Sequence, residues 1–230
     1  MAAITAPQMA YEAKIIYESI ASADAPGYNN REWSILLTQA QEWIVLEICK
    51  EGADKDEFNR RALSPLFTSP AAITSFTAGT YPNSYVVTMP VDYLYALNER
   101  GSSTGTGFVR TDIEIKSISF DTYNANRYNP FYQPCDWLFW KMVVGGNHLV
   151  ITDGGVLSSY KLDYIKKPTP IIVSTLSAGQ EIEGLVAQTN CILDHSIHRK
   201  IIYKAAVLAK MAIQDQLGYQ LQNIEEKSIN

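Results

Sequence analysis

The stretch from Trp140 to Ile171 constrains the fold of this chain most strongly. It holds two β-like runs, His148–Thr152 and Ser159–Ile165, with Asp153-Gly154-Gly155 between them, where backbone at positive φ costs little. The second run alternates: Tyr160, Leu162 and Tyr164 share one side, and Lys161, Asp163 and Lys166 break or oppose it. This pattern predicts a hairpin. Lys167-Pro168-Thr169-Pro170 then ends the pairing, because proline donates no ladder hydrogen bond.

Helical periodicity flanks this β region on both sides. Met9, Ala13, Ile16 and Ile20 predict a first helix over Pro7–Ala21, followed by a turn at Asp24-Ala25-Pro26-Gly27. Asn29 and Glu32 form a capping-box signature for a second helix, whose stripe Trp33, Leu36, Leu37, Ala40, Ile44 and Ile48 ends at Gly52. Asp54 and Glu57 start a third, short helix through Phe58, Ala62 and Leu66, which Pro65 limits. Near the C-terminus, Asp194 or Ser196 opens the longest helix, carried by Leu193, Ile197, Ile201, Ala205, Leu208 and Ala212 and expected to reach Gly218. A polar tail follows from Tyr219.

Between the helical ends, Thr68–Tyr85 reads as a long loop with one short strand near Ala72–Phe76. Strands are expected at Tyr85–Met89, Tyr93–Arg100, with Tyr93–Leu97 alternatively helical, Val109–Ser119, Trp137–Val144, alternatively the entry to the hairpin, and, after the hairpin, from Ile171–Val173. Gly101–Gly107 reads as a flexible hairpin tip, Asp121–Pro134 as irregular, and Ser174–Gly184 as a loop. The expected class is α+β: a helical frame from both termini with an inserted antiparallel β module. The boundaries fall at 1–67 for the first part of the frame, 68–175 for the module, and 176–230 for the rest of the frame.

Composition narrows the function classes. The chain has 230 residues, 47% hydrophobic and 19% charged, which is globular rather than disordered composition. A net charge of −5 with no basic stripe disfavours tight nucleic-acid binding, and a mildly acidic surface lets DNA slide past without sticking. Fourteen Tyr and four Trp suit large protein–protein contacts, though a Tyr-rich sheet explains them equally. The three cysteines, Cys49, Cys135 and Cys191, are widely spaced and odd in number, which fits buried thiols in a reducing compartment. The N-terminus carries no secretory pattern and no apolar run is long enough for a membrane span, so the expected site of synthesis is a cytoplasm.

Each candidate for chemistry has a plain structural reading. His195 and His198, at i, i+3 beside Asp194, are the candidate metal ligands, set against a polar helix start with no third ligand. Cys135-Asp136 with His148 is the candidate nucleophile pair, set against a cysteine that merely fills a core. Gly101-x-x-x-Gly105-x-Gly107 lacks the lysine and helix start of a phosphate cradle. Asp153-Gly154-Gly155 lacks the alternating oxygen ligands of a calcium loop. The cluster Tyr128, Phe131, Tyr132, Trp137 and Trp140 suits a core or a subunit interface better than a base- or sugar-stacking platform. No catalytic, cofactor or metal residues are therefore assigned; the interface candidates are Tyr81, Tyr128, Phe131 and Tyr132.

Three segments together carry a family resemblance: Pro90-x-Asp92-Tyr93-Leu94-Tyr95 ahead of the strands, Tyr164-Ile165-Lys166-Lys167-Pro168-Thr169-Pro170-Ile171 at the module's exit, and His195-x-x-His198-Arg199-x-Ile201-x-x-x-Ala205 on the last helix. Over roughly Trp33 to Ala212 the chain resembles the ring, or neck-adaptor, proteins of crAss-like bacteriophages. More distantly it is similar to the tubular gatekeeper adaptors of short-tailed phages. The resemblance implies a virion structural protein without catalytic residues. Such proteins form a ring, commonly of twelve copies, below the portal protein, extend the DNA channel, and join capsid to tail through neighbouring ring or tail proteins. Thr68–Tyr85 and Asp121–Pro134 are the segments expected to be ordered by partners. The residues alone leave two other classes open: a Cys- or metal-dependent hydrolase, and a soluble Tyr-rich binding module.

Overall fold

The computed structural model describes residues 4–20, 27–52, 56–70 and 72–212. The chain divides into two compact units, Met1–Leu66 with Lys167–Asn230, and Phe67–Lys166. The class is α+β, as expected from the sequence.

The first unit is helical. Helix α1 spans Ala6–Ile20, α2 spans Asn30–Gly52, and α3 spans Glu57–Leu63 with a 3-10 turn, Ser64–Leu66, after it. The expected capping box is formed: Glu32 Oε2 accepts from the Asn29 N–H at 2.7 Å, and Asn29 Oδ1 accepts from the Glu32 N–H at 2.9 Å. Gly52 ends α2 at φ +105°, the left-handed region that glycine enters freely. At the other terminus the Asp194 side chain accepts from the Ser196 N–H and caps the 3-10 turn His195–Ile197, after which α5 runs from residue 198 to 212. The helices bury a shared core of Met9, Ala13, Leu37, Ile44, Leu63, Ile197, Ile201 and Ala205. Tyr28 joins the two ends of the chain by donating its hydroxyl to the Ala209 carbonyl at 2.7 Å. The expected turn at 24–26, the Ala21 and Gly218 helix ends, Asp54 and the tail from Tyr219 lie outside the described residues.

Residues 169–173 do not begin a strand of the sheet. They lie extended along α2; Ile172 exchanges backbone hydrogen bonds with Thr189 at 3.0 and 3.1 Å, and side chains of the helix partner the residues on either side of it. Gln41 Nε2 donates to the Thr169 carbonyl at 2.8 Å, the Ile171 N–H donates to Thr38 Oγ1 at 3.1 Å, and the Val173 N–H donates to Ser34 Oγ at 3.0 Å. Ser34, Thr38 and Gln41 are spaced i, i+4, i+7, so one buried polar stripe of the helix satisfies this backbone.

The second unit is one sheet of eight strands: β1 (Phe67–Thr68), β2 (Thr77–Ala78), β3 (Ser84–Val87), β4 (Tyr93–Gly105), β5 (Phe108–Ser117), β6 (Leu138–Val144), β7 (Asn147–Ile151) and β8 (Val156–Lys166). Their order is β1-β8-β4-β5-β6-β7-β3-β2. The sheet is mixed, not purely antiparallel, because β5 and β6 run parallel, with Glu114 opposite Leu138. A parallel pair needs a crossover, and residues 118–137 supply it. Part of that crossover, expected to be irregular, is helix α4, Phe120–Asn126, capped by Ser119, which accepts from the Thr122 N–H.

Two further expectations are corrected. The runs His148–Thr152 and Ser159–Ile165 do not pair with each other. β7 lies between β6 and β3, and β8 between β4 and β1. The hairpin partner of β7 is β6, joined through Gly145 and Gly146 at φ +58° and +82°, which suits a two-residue turn of the kind that follows strand twist. The Asp153–Gly155 corner instead carries the chain across the sheet, which must curl for so short a link to connect strands separated by three others. Gly101–Gly105, expected at a flexible tip, belongs to β4 and pairs with both β5 and β8. A Cβ on Gly101 would stand 3.0 Å from the Phe139 ring, so the small residue there makes room for a buried aromatic. Of the short strand expected at Ala72–Phe76, one bridge forms, Ile73 to Tyr160.

The curl gives the sheet two covered faces. Inside lie Val87, Ile113, Ile115, Phe139, Val150, Leu157, Tyr160, Leu162 and Tyr164; the side shared by Tyr160, Leu162 and Tyr164 is the one read from the sequence. Trp140, Met142, Leu149 and Ile151 point to the other face, which Tyr123 of α4 covers.

Candidate functional site

The residues weighed as candidates for chemistry, none of which was assigned to it, are placed as follows. His198 is fully buried, with Nε2 3.0 Å from the Leu193 carbonyl oxygen, whereas His195 Nδ1 lies 3.6 Å from the Asp194 carboxylate. Among the described residues no group of three or more His, Cys, Asp or Glu is placed to hold a metal. Cys135 bridges Leu138 at the foot of β6, while His148 is buried within the curl on β7. Burial pushes the Cys49 and Cys191 thiols up to about 11, so both remain protonated and unreactive. Among the described residues no helix is long and apolar enough to cross a membrane.

The sequence reading missed the polar cluster inside the curl. Glu99 of β4 accepts from Tyr160 of β8 and pairs with Lys141 of β6, and its Oε1 is 2.8 Å from Nδ1 of His148 on β7. His148 Nδ1 is also 2.9 Å from the Tyr160 hydroxyl, and the Tyr93 hydroxyl is 3.4 Å from Nε2 of the same ring. Burial pushes the Glu99 carboxyl up, but hydrogen bonds from His148, Lys141 and Tyr160 more than offset this and hold it below its ordinary range. Burial beside that carboxylate raises the Tyr160 hydroxyl, and raises that of Tyr93 to about 12, so both stay protonated donors. The cluster joins β4 and β8 to β6 and β7. It therefore adds a side-chain tie between strands that are not ladder neighbours, since β5 lies between the two pairs. Sequence spacing gave no signal for it, because its members come from four strands.

A second set of charges holds the corners. Arg110 on β5 pairs with Asp153 at the β7–β8 corner and with Asp136, at 2.7 Å, near the end of the crossover. Its guanidinium lies 4.1 Å from the Phe108 ring centroid.

The crossover is the most exposed aromatic surface of the sheet unit. Phe131 is 92% exposed, Tyr128 79% and Trp137 74%, and Tyr132 is also exposed. This lobe is held from below. Tyr81, Tyr123 and Trp140 stack edge to face, with centroids 4.8 Å and 6.3 Å apart. Within the lobe the Phe131 N–H donates to Asn129 Oδ1 at 3.1 Å, and Gln133 Nε2 donates to the Arg127 carbonyl at 2.8 Å. Two clefts flank it. One, of about 240 Å³, is lined by Tyr81, Tyr123, Arg127 and Tyr128; the other, of about 460 Å³, by Phe131, Tyr132 and Trp137. The four interface candidates thus fall on the two sides of one lobe, and Trp137, singled out only as part of the wider aromatic cluster, joins them. Contiguous exposed aromatics on an ordered support are what a protein-binding surface requires.

A family model described as phage tail ring protein 3/4 matches residues 4–220. The chain is 28% identical over 225 residues to "Ring protein 4/5" of Bacteroides phage crAss001, covering 90% of this chain and 92% of that protein. It is 27% identical over 191 residues to "Ring protein 3" of the same phage, covering 77% of this chain and 83% of that protein. The resemblance read from the three sequence segments is thereby confirmed, and the chain belongs to the phage tail ring protein 3/4 family of crAss-like phages.

Proposed function

We propose that this phage tail ring protein builds a closed ring in the neck of the particle, below the portal protein, where it extends the DNA channel and joins capsid to tail. A ring protein associates with copies of itself, and twelve copies is the number proposed here. The role is structural, not catalytic, and the frame docks towards the portal and neighbouring copies.

The observation that carries this reading is the aromatic lobe at Tyr128, Phe131, Tyr132 and Trp137, which leaves large rings uncovered on a single chain. Burying those rings suits a permanent partner such as the next ring or a tail protein, and contact with it would order the segment Asp121–Pro134. We assign Tyr81, Tyr128, Phe131 and Tyr132 to that contact. The net charge of −5 supports passage of DNA without specific binding.

Cross-linking of purified particles followed by mass spectrometry tests the placement. Cross-links from this chain to the portal protein and to a second ring or tail protein are expected. Cross-links confined to the major capsid protein or to tail fibres contradict it.

A further inference from the structure

Two helices of the first unit carry exposed apolar stripes of opposite charge. On α1, Tyr11, Ile15 and Glu18 follow one another at i, i+4, i+7, with Glu12 beside them, and all four are exposed. Lys14 is the one cation on the exposed side of α1, 3.6 Å from Glu18. On α5, Tyr203, Val207 and Met211 are exposed at i, i+4, i+8. Arg199 and Lys210 are exposed on the same side, and the sequence places no carboxylate between His195 and Ala212. Lys200 and Lys204 extend the positive field while covering Phe58 and Trp43, at 5.1 Å and 3.3 Å from the ring centroids. At the helical rise Tyr11 to Glu18 spans about 10 Å, of which the apolar pair Tyr11 and Ile15 takes about 6 Å, and Tyr203 to Met211 spans about 12 Å.

We infer that neighbouring copies meet helix to helix, the α1 stripe of one copy lying on the α5 stripe of the next. This rests on the ring reading above and names its circumferential contact. A closed ring requires two different faces of one chain to meet. These two faces differ in element and in sign of charge, and each offers a short apolar line for the other to bury. Like faces would set acid against acid or base against base, which opposes two-fold pairing and favours head-to-tail order.

The full chain tests this by charge reversal. Glu12→Lys with Glu18→Lys, and separately Arg199→Glu with Lys210→Glu, should each lower the ring population at a fixed concentration by about tenfold. Combining all four changes should restore most of it. Native mass spectrometry reads the population, and circular dichroism melts check that each variant folds.

Zero-length cross-linking of mixed isotope-labelled wild-type copies gives a measurement independent of any variant. Links from Glu12 or Glu18 of one copy to Lys200 or Lys210 of another are expected. Rings that tolerate both reversals, or inter-copy links that avoid these helices, overturn the inference and leave the ring reading standing. In particles, links from these helices to a different protein also overturn it. A wild-type chain that never forms rings, free or in the particle, overturns both.

Discussion

Glu99 of β4 ties together β8, β6 and β7 through Tyr160, Lys141 and His148. It is nearly fully buried and has Lys141, His148 and Tyr160 as partners, so removing its charge leaves a buried ammonium without a counterion. Glu99→Gln should cost about 3 kcal/mol in urea unfolding. The pH dependence has a definite sign. The carboxyl is held below its ordinary value of 4.5, so its contribution is fully present above that value and is lost as pH falls through the lower folded value. Stability should therefore decline on acidification below about 4.5, and the slope should be shallower in Glu99→Gln. A Glu99→Gln chain with an unchanged acid slope would sink this account of the cluster. The cysteines offer a second check. Cys49 and Cys191 are buried, with thiols raised to about 11, whereas Cys135 is half-buried in the crossover. A thiol reagent at neutral pH should label Cys135 in the native protein and reach the other two only on unfolding, as counted by mass spectrometry.

At the scale of elements, the polar stripe of α2 is the most testable feature. Thr38→Val removes the acceptor for the Ile171 N–H and should lower stability by about 1–3 kcal/mol, read as a lower urea midpoint at unchanged m. The same elements show where sequence reasoning reached and where it stopped. Helix α2 was legible because its start is chemistry between residues three apart, Asn29 and Glu32, and its apolar stripe is periodic. The inward side of β8 was legible because alternation is local. Partner choice was not. The Gly-containing link after β7 signals a reversal, but whether the next strand pairs locally or crosses the sheet depends on contacts far away in sequence. Residues 171–173 form no strand of the sheet for a related reason: Ile172 makes one isolated bridge, to Thr189, while the Ile171 and Val173 N–H groups are taken by side chains of a helix more than a hundred residues earlier. Helix α4 did have a local signal, the Ser119–Thr122 cap, but its polar sequence DTYNAN offers little apolar periodicity to support it. The interface candidates were legible as types, since aromatics in a polar stretch stand out. That Tyr128, Phe131 and Tyr132 lie on a crossover, with Tyr81 of the β2–β3 link beneath it, became visible only once β5 and β6 proved parallel.

For the whole molecule, the parallel pair and the lobe have one cause. Joining β5 to β6 in parallel forces a long connection out of the sheet, and that connection presents the aromatics. In the proposed reading, function at this scale is geometric: it lies in surfaces that meet other chains. Phe131→Ser with Tyr132→Ser should leave the melting temperature within about 2 °C, because exposed side chains contribute little to folding. The double change should nonetheless weaken incorporation into particles by at least about tenfold, as expected of aromatic anchors at an interface and read by quantitative mass spectrometry of purified virions. The most direct measurement of the central claim is a localised electron cryomicroscopy reconstruction of the particle's neck. The account predicts a closed ring of copies of this chain around an open axial lumen, between portal and tail, with both units recognisable in each copy. Absence of the chain from the particle, or density for it away from that axis, would contradict it.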